Sequence, residues 1–149
     1  MADWRENLVE DDGRIRELLA TTRRVAVLGI KTERQAAQAA YHVPAYLASA
    51  GLEIVPVPVY YPEVTSILGR PVYRRVADVA GPIDIVDVFR RPADVPEHVP
   101  DLLAKRPRAV WLQLGIRNDG AAEALAREGI LVVQDRCLEV DWARLGPRP

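Results

Sequence analysis

The chain has 149 residues, 49% hydrophobic and 28% charged, which is the size of one domain and enough to bury a core. A formal charge of -1 supplies no global basic field, which excludes wholesale wrapping of nucleic acid and docking on an anionic membrane. The single cysteine, Cys137, excludes an internal disulfide and a multi-cysteine metal cage, and the lack of a leader pattern or a run of about 18 apolar residues makes a cytoplasmic protein the expectation.

In chain order, Asp11 to Thr21 reads as a helix with Ile15, Leu18 and Leu19 on one face. Val25 to Ile30 is a buried strand that runs through Gly29. The Ala-rich stretch Gln35 to Ala50 stops before Gly51 as a helix does, with Pro44 marking a kink or a start. Ile54 to Val59 is a second strand, and Tyr60 to Ala80 reads as a loop with room for a small helix. Ile83 to Phe89 is a third strand, interrupted by Asp84 and Asp87, which are expected to meet backbone or helix-terminus donors at the rim of the sheet. Pro92 to Lys105 carries Val95, Val99, Leu102 and Leu103 near helical spacing, with His98 on a solvated face. Ala109 to Leu114 is a fourth strand that buries Trp111 and obliges Gln113 to find a partner or face a crevice. Asn118 to Glu128 is a helix with a natural cap and a stop at Gly129, Ile130 to Val133 is a fifth strand, and a short tail follows.

Aliphatic strands alternating with crossover helices specify an α/β, doubly wound, five-stranded and mostly parallel sheet. Residues 1–149 read as a single domain, with an N-terminal helix over about 11–21 and the core sheet over about 24–134. In such sheets ligands bind beyond the carboxyl ends of the strands. Four of the five ends here carry cations: Lys31 and Arg34, Arg90 and Arg91, Arg117, and Arg136. That distribution suggests an anionic ligand with several phosphates, held by backbone N–H groups and guanidinium forks. A dinucleotide fingerprint is incomplete, because Lys31 stands where its second glycine belongs and no acid ends the second strand. No P-loop occurs, and no nucleophile, base and orienting acid assemble from neighbouring positions, so no catalytic residue and no metal ligand is assigned.

The stretches "VAVLGI", "PVPVYYPEVTSILGRPVYRRVADV", "IDIVDVFRRPADVPEHV" and "AVWLQLGIRNDGAAEALAREGILVVQDRC" resemble the small stand-alone CoA-binding proteins of bacteria and archaea, over roughly residues 12–140. These are similar to the N-terminal CoA-binding domain of the succinyl-CoA synthetase α subunit. The resemblance implies a Rossmann-like sheet and coenzyme A, or an acyl-CoA, as the bound cofactor. It implies that the turn Gly29-Ile30-Lys31-Thr32, with Arg34, receives the pyrophosphate. Val57 and Tyr60 would border the adenosine, Phe89, Arg90 and Arg91 would flank the adenine and its 3′-phosphate, and Leu114 and Gly115 would line the pantetheine path. The isolated chain is then expected to bind rather than catalyse, with any ligase chemistry in an unidentified protein partner. Two alternatives stay open: an enzyme acting on the thioester with Cys137 or His42, and a sensor of NAD or NADP.

Overall fold

Aliphatic runs buried on both faces can pair only with one another, and the five runs do so as one sheet. The computed structural model describes residues 3–148; Met1, Ala2 and Pro149, the ends of the span read as one domain, lie outside the described residues. In chain order the elements are α1 (Asp12–Ala20), β1 (Arg24–Leu28), α2 (Ala39–Ser49), β2 (Glu53–Val57), β3 (Ser66–Ile67), β4 (Arg70–Pro71), β5 (Ile85–Val88), α3 (Val99–Lys105), β6 (Ala109–Leu112), α4 (Asp119–Arg127), β7 (Leu131–Val133) and α5 (Leu138–Leu145). The main sheet has the order β2-β1-β5-β6-β7 with every pair parallel, and β3 and β4 form a separate antiparallel hairpin. The doubly wound, Rossmann-like expectation therefore holds. The chain moves outward from β1 to β2 and then crosses back to β5, so the order reverses between β1 and β5.

Alternation along each strand splits the core in two. Val25, Val27, Ile85 and Trp111 pack with α1, α2 and α5 on one face, and Leu28, Val86, Val88 and Leu112 pack with α3 and α4 on the other. Asp11 caps α1 through Arg14 N–H at 2.9 Å and Asn118 caps α4 through Ala121 N–H at 2.9 Å, so both starts follow from their sequence signals. Trp111 is fully buried and its indole N–H donates to the Arg136 carbonyl at 2.8 Å.

Several elements differ from expectation. The helix expected from Gln35 begins only at Ala39, because Thr32 and Gln35 close a capping box on a short 3₁₀ turn, Glu33–Gln35. Residues 92–98 are 3₁₀ rather than α-helical, in keeping with Pro92 at the start and Pro96 inside. Within the expected loop 60–80 lie the β3–β4 hairpin and a 3₁₀ turn, Val76–Asp78. Where a short tail was expected, the chain forms α5. Gln113 Oε1 accepts from Leu138 N–H at 3.3 Å at the start of that helix, and Asp141 on its buried face pairs with Arg136 at 2.7 Å. Asp84 meets the backbone donors expected of it, Arg23 and Arg24 N–H, each at 2.9 Å. Asp87 does not: both of its oxygens are buried without a hydrogen-bond partner among the described residues.

The sheet's outer strands are not left bare. Leu8 bridges Val132 in parallel and Val9 N–H donates to the Val132 carbonyl at 2.8 Å, beside β7. At the far side Tyr73 N–H donates to the carbonyl of Pro56 in β2 at 2.9 Å. No helix among the described residues is long and apolar enough to cross a membrane.

Candidate functional site

The reversal between β1 and β5 leaves a crevice at the carboxyl ends of both strands, where parallel sheets take ligands. Gly29 leaves β1 with φ +86°, and a Cβ there would sit 2.3 Å from the Phe89 carbonyl oxygen, so no other residue fits without displacing backbone. Its N–H donates to Val57 C=O at 2.9 Å, while Phe89 N–H donates to Leu28 C=O at 2.8 Å, tying three strand ends together. A continued parallel ladder would next join Ile30 N–H to Phe89 C=O; the turn at Gly29 breaks it. Ile30 is 1% exposed, and among the described residues its N–H donates to no acceptor. Buried N–H groups are rarely left so.

The next donor is placed by a proline. Pro44 inside α2 has no N–H to give to the carbonyl of Ala40, four residues back, and that carbonyl accepts from Lys31 N–H at 3.0 Å instead. Thus the interruption in α2 anchors the turn after β1. Among the described residues neither Lys31 nor Arg34 makes an ion pair.

Six residues singled out in the sequence, Gly29, Lys31, Tyr60, Phe89, Arg90 and Arg91, line one cleft of about 360 Å³ at this point. Arg90 is held within it on all sides. Its Nε–H donates to His98 Nε2 at 3.0 Å, Nη1 to the Tyr60 hydroxyl at 3.3 Å and Nη2 to Glu97 Oε1 at 2.8 Å, with Asp94 Oδ2 at 3.8 Å. The guanidinium carbon lies 5.7 Å from the centre of the Tyr60 ring. Burial works against the Arg90 charge but is outweighed by the Tyr60 and Glu97 hydrogen bonds, so its pKa is raised. Arg91 is 82% exposed and pairs with Asp94 at 2.8 Å, a hydrogen bond that lowers the Asp94 pKa.

The remaining sequence candidates lie elsewhere. Thr32 and Arg34 face a neighbouring cleft, and the Thr32 hydroxyl is committed to Gln35 Oε1 at 2.7 Å. Val57 has no exposed side chain and supports the Gly29 turn through its carbonyl. Leu114 is 66% exposed and Gly115 N–H is engaged by Asp135 Oδ1 at 2.6 Å; neither lines the cleft. His98, read from sequence as solvated, is instead part of the site, since the 3₁₀ turns over residues 92–98 fold it back onto Arg90. Asp94 and Glu97 accompany it, so the two arginines of the cleft have carboxylates against them. The sequence signal was the spacing of three polar groups four, seven and eight residues after Arg90. Among the described residues no three His, Cys, Asp or Glu groups are placed to hold a metal ion. His42 Nδ1 lies 3.4 Å from Glu139 Oε1 and Cys137 is half-buried just before α5.

Residues 23–143 match the family described as the CoA binding domain. YneT of Bacillus subtilis, an uncharacterized protein, is 32% identical over 129 residues, which cover 87% of this chain and 92% of that one. A solved structure from Thermus thermophilus, cell-free ID.343, matches with a TM-score of 0.83 at 38% identity, covering 91% of this chain and 99% of that one. A hypothetical protein from Pyrococcus horikoshii OT3 gives 0.80 at 29% identity, covering 91% and 92%. Acetyl-coenzyme A synthetase 1 from Ca. Korarchaeum cryptofilum, solved with phosphate and ADP, gives 0.63 at 17% identity, a likeness of fold alone that covers 79% of this chain and 26% of that one. With most of its length inside that pattern and its glycine turn and arginine pair meeting where the strand order reverses, the chain belongs to the CoA-binding domain family.

Proposed function

We propose that the protein binds coenzyme A, free or as an acyl-CoA, in the cleft between β1 and β5, and does not itself transform it. The observation that carries this reading is the cleft at the Gly29 turn, where Lys31, which makes no ion pair among the described residues, lies with the exposed Arg91 guanidinium and the aromatic rings of Tyr60 and Phe89. Such a group of donors at a strand-to-loop turn suits a pyrophosphate and a separate phosphate monoester. In this reading the turn from Gly29 to Lys31, with the Lys31 ammonium, holds the pyrophosphate, and Arg91 takes the 3′-phosphate. The Tyr60 ring, Phe89 and the Arg90 guanidinium offer flat surfaces to the adenine. Coenzyme A supplies a thiol or thioester, and the chain supplies binding and orientation.

Arg90 is already neutralised by Glu97 and Asp94, which makes it a positioning residue for Tyr60 rather than a free phosphate clamp. Arg91 keeps most of its surface and has one partner to exchange, so it is the better candidate for a phosphate.

The reading is tested by thermal stabilisation with CoA, acetyl-CoA, 3′-dephospho-CoA, NAD and NADP. Ligand at about 100 times its dissociation constant stabilises by roughly 2.7 kcal/mol. A shift with CoA that shrinks without the 3′-phosphate and in Arg91→Ala is expected. No shift with CoA, or a larger one with NAD or NADP, overturns it.

A further inference from the structure

The 3₁₀ run over residues 92–98 carries the groups that surround Arg90. At seven residues it is long for its kind, with poorer hydrogen bonds than an α-helix, and Pro92 and Pro96 have no N–H to add. Val95 anchors it by full burial, and the Pro92 carbonyl accepts from Asn118 Nδ2 at 3.0 Å. Between those anchors and α3 the polar side chains are held mainly by one another.

They compete for partners. His98 Nε2 accepts from Arg90 Nε–H at 3.0 Å and lies 3.6 Å from Glu97 Oε1, and that same oxygen accepts from Arg90 Nη2 at 2.8 Å. Arg90 Nη2 also lies 3.8 Å from Asp94 Oδ2, the oxygen that accepts from Arg91 Nε–H at 2.8 Å. Two carboxylates therefore serve two guanidiniums, with the imidazole between them. The other groups that face it come from neighbouring elements. Tyr60 lends its hydroxyl to the far side of Arg90, and Asp101 of α3 is committed to the N–H groups of Val76 and Ala77 at 2.8 and 2.9 Å and to Arg75 at 3.7 Å. With side chains only 10% and 17% exposed, Arg90 and His98 are poorly screened by water, yet the ring is open enough to take up a proton.

Nε2 cannot both accept from Arg90 and carry a proton. Protonation sets a second positive charge against the guanidinium, and the nearest carboxylate for the new N–H is Glu97. Arg90, losing His98 and its hold on Glu97, has Asp94 to turn to, and Asp94 is the partner of Arg91. We propose that His98 is a proton-driven switch: its protonation passes Glu97 from Arg90 to His98 and Asp94 from Arg91 to Arg90, and so releases the Arg91 guanidinium at the mouth of the cleft. The only group transferred is one proton, from solvent to Nε2. Its charge stays in the cleft wall, so the cleft attracts anions more strongly as the pH falls. By linkage, an anion held at Arg91 favours the protonated imidazole.

This coupling belongs to the ligand-free protein, so its test stands apart from that of the coenzyme reading. The chain has two histidines, so comparison with His98→Gln assigns the His98 ring in NMR spectra. Between about pH 7.5 and 4.5 the Arg90 and Arg91 Nε–H resonances are expected to shift with the midpoint of the His98 ring. The scalar coupling across the Arg90 Nε–H···Nε2 bond should be lost below that midpoint. His98→Gln should abolish the midpoint for both arginines. Asp94→Asn, which removes the shared carboxylate, should leave Arg90 following His98 and uncouple Arg91. An Arg91 resonance that ignores the His98 midpoint in the wild type, or that follows it unchanged in Asp94→Asn, overturns the release of Arg91. A His98 ring that does not titrate in this range, or a bond from Arg90 that outlasts its titration, overturns the switch.

Discussion

The Nε–H of Arg90 donates to Nε2 of His98 at 3.0 Å, so the imidazole is neutral, with its proton on Nδ1, whenever that bond is made. Burial pushes the His98 pKa below its ordinary value, the Arg90 charge adds to the effect, and Glu97, Asp101 and Asp94 oppose it. The unfolded chain therefore takes up a proton at a higher pH than the folded one. Stability from this group is complete above about pH 6.5 and is lost as the pH falls below it. His98→Gln keeps an acceptor near Nε2 and removes the titration. Urea unfolding between about pH 7 and 5 is expected to show a shallower pH dependence for the variant than for the wild type. Equal slopes would exclude His98 as the titrating group.

Gly29 and Gly115 share a left-handed backbone but not their surroundings. A Cβ on Gly29 meets the Phe89 carbonyl at 2.3 Å, whereas one on Gly115 meets nothing within 4 Å. Gly115→Ala is expected to cost about 1–2 kcal/mol, the conformational term alone. Gly29→Ala adds a backbone collision and is expected to exceed that by about 1 kcal/mol or more, read as a lower urea midpoint. Equal losses would mean that Phe89 yields freely.

Asp87 lies in β5 between Val27 of β1 and Trp111 of β6, fully buried and without a partner. Burial raises its carboxyl pKa well above the usual carboxylate range. Here the folded chain keeps a proton that the unfolded chain releases above about pH 4, so stability declines as the pH rises through the folded value. Asp87→Asn carries no ionisable group and nearly the same shape. It is expected to be more stable than the wild type at pH 8 by about 1 kcal/mol or more, with the difference shrinking toward pH 5. A variant less stable at pH 8 would point to an acceptor role for the carboxylate.

Arg136 ties the end of the sheet to α1 and α5. It pairs with Asp141 at 2.7 Å and with Asp12 at 2.8 Å, and Arg144 bridges the same two carboxylates at 3.0 and 2.9 Å. Asp141 is 3% exposed. Arg136→Met leaves that buried carboxylate with Arg144 alone and is expected to cost about 2 kcal/mol, less than the ~3–5 kcal/mol of a fully orphaned buried charge. Adding Asp141→Leu should recover most of the loss, and a purely additive double mutant would show that the pair is not coupled.

The sheet was legible because Val25 to Leu28 and Ala109 to Leu112 are unbroken apolar runs, a pattern that two-sided burial explains. The meeting of Gly29 and Lys31 with Arg90 and Arg91 was legible for a related reason, since parallel strands bring their carboxyl ends to one rim. What the sequence hid were side-chain partners set by local geometry. His98 falls on a solvated face if residues 92–98 are α-helical, and folds onto Arg90 only in the 3₁₀ form. Asp141 sits between Leu138 and Leu145 on the buried face of α5 and masks its helical period, because the Arg136 that neutralises it precedes the helix. The resemblance counts Thr32 in the turn that receives the pyrophosphate. The spacing of Thr32 and Gln35 already carried the signature of a capping box, which commits the Thr32 hydroxyl elsewhere.

The segment beside β7 and the proline in β2 have a consequence for assembly. An open parallel sheet is a template at each margin, ready to recruit a strand from another molecule. Here Leu8 and Val9 occupy one margin, while Pro56 removes a donor from the other and Tyr73 takes its carbonyl. Growth by strand addition is thereby disfavoured at both margins, which leaves the helical faces and the rim where the cleft opens as the surfaces freer to meet a partner.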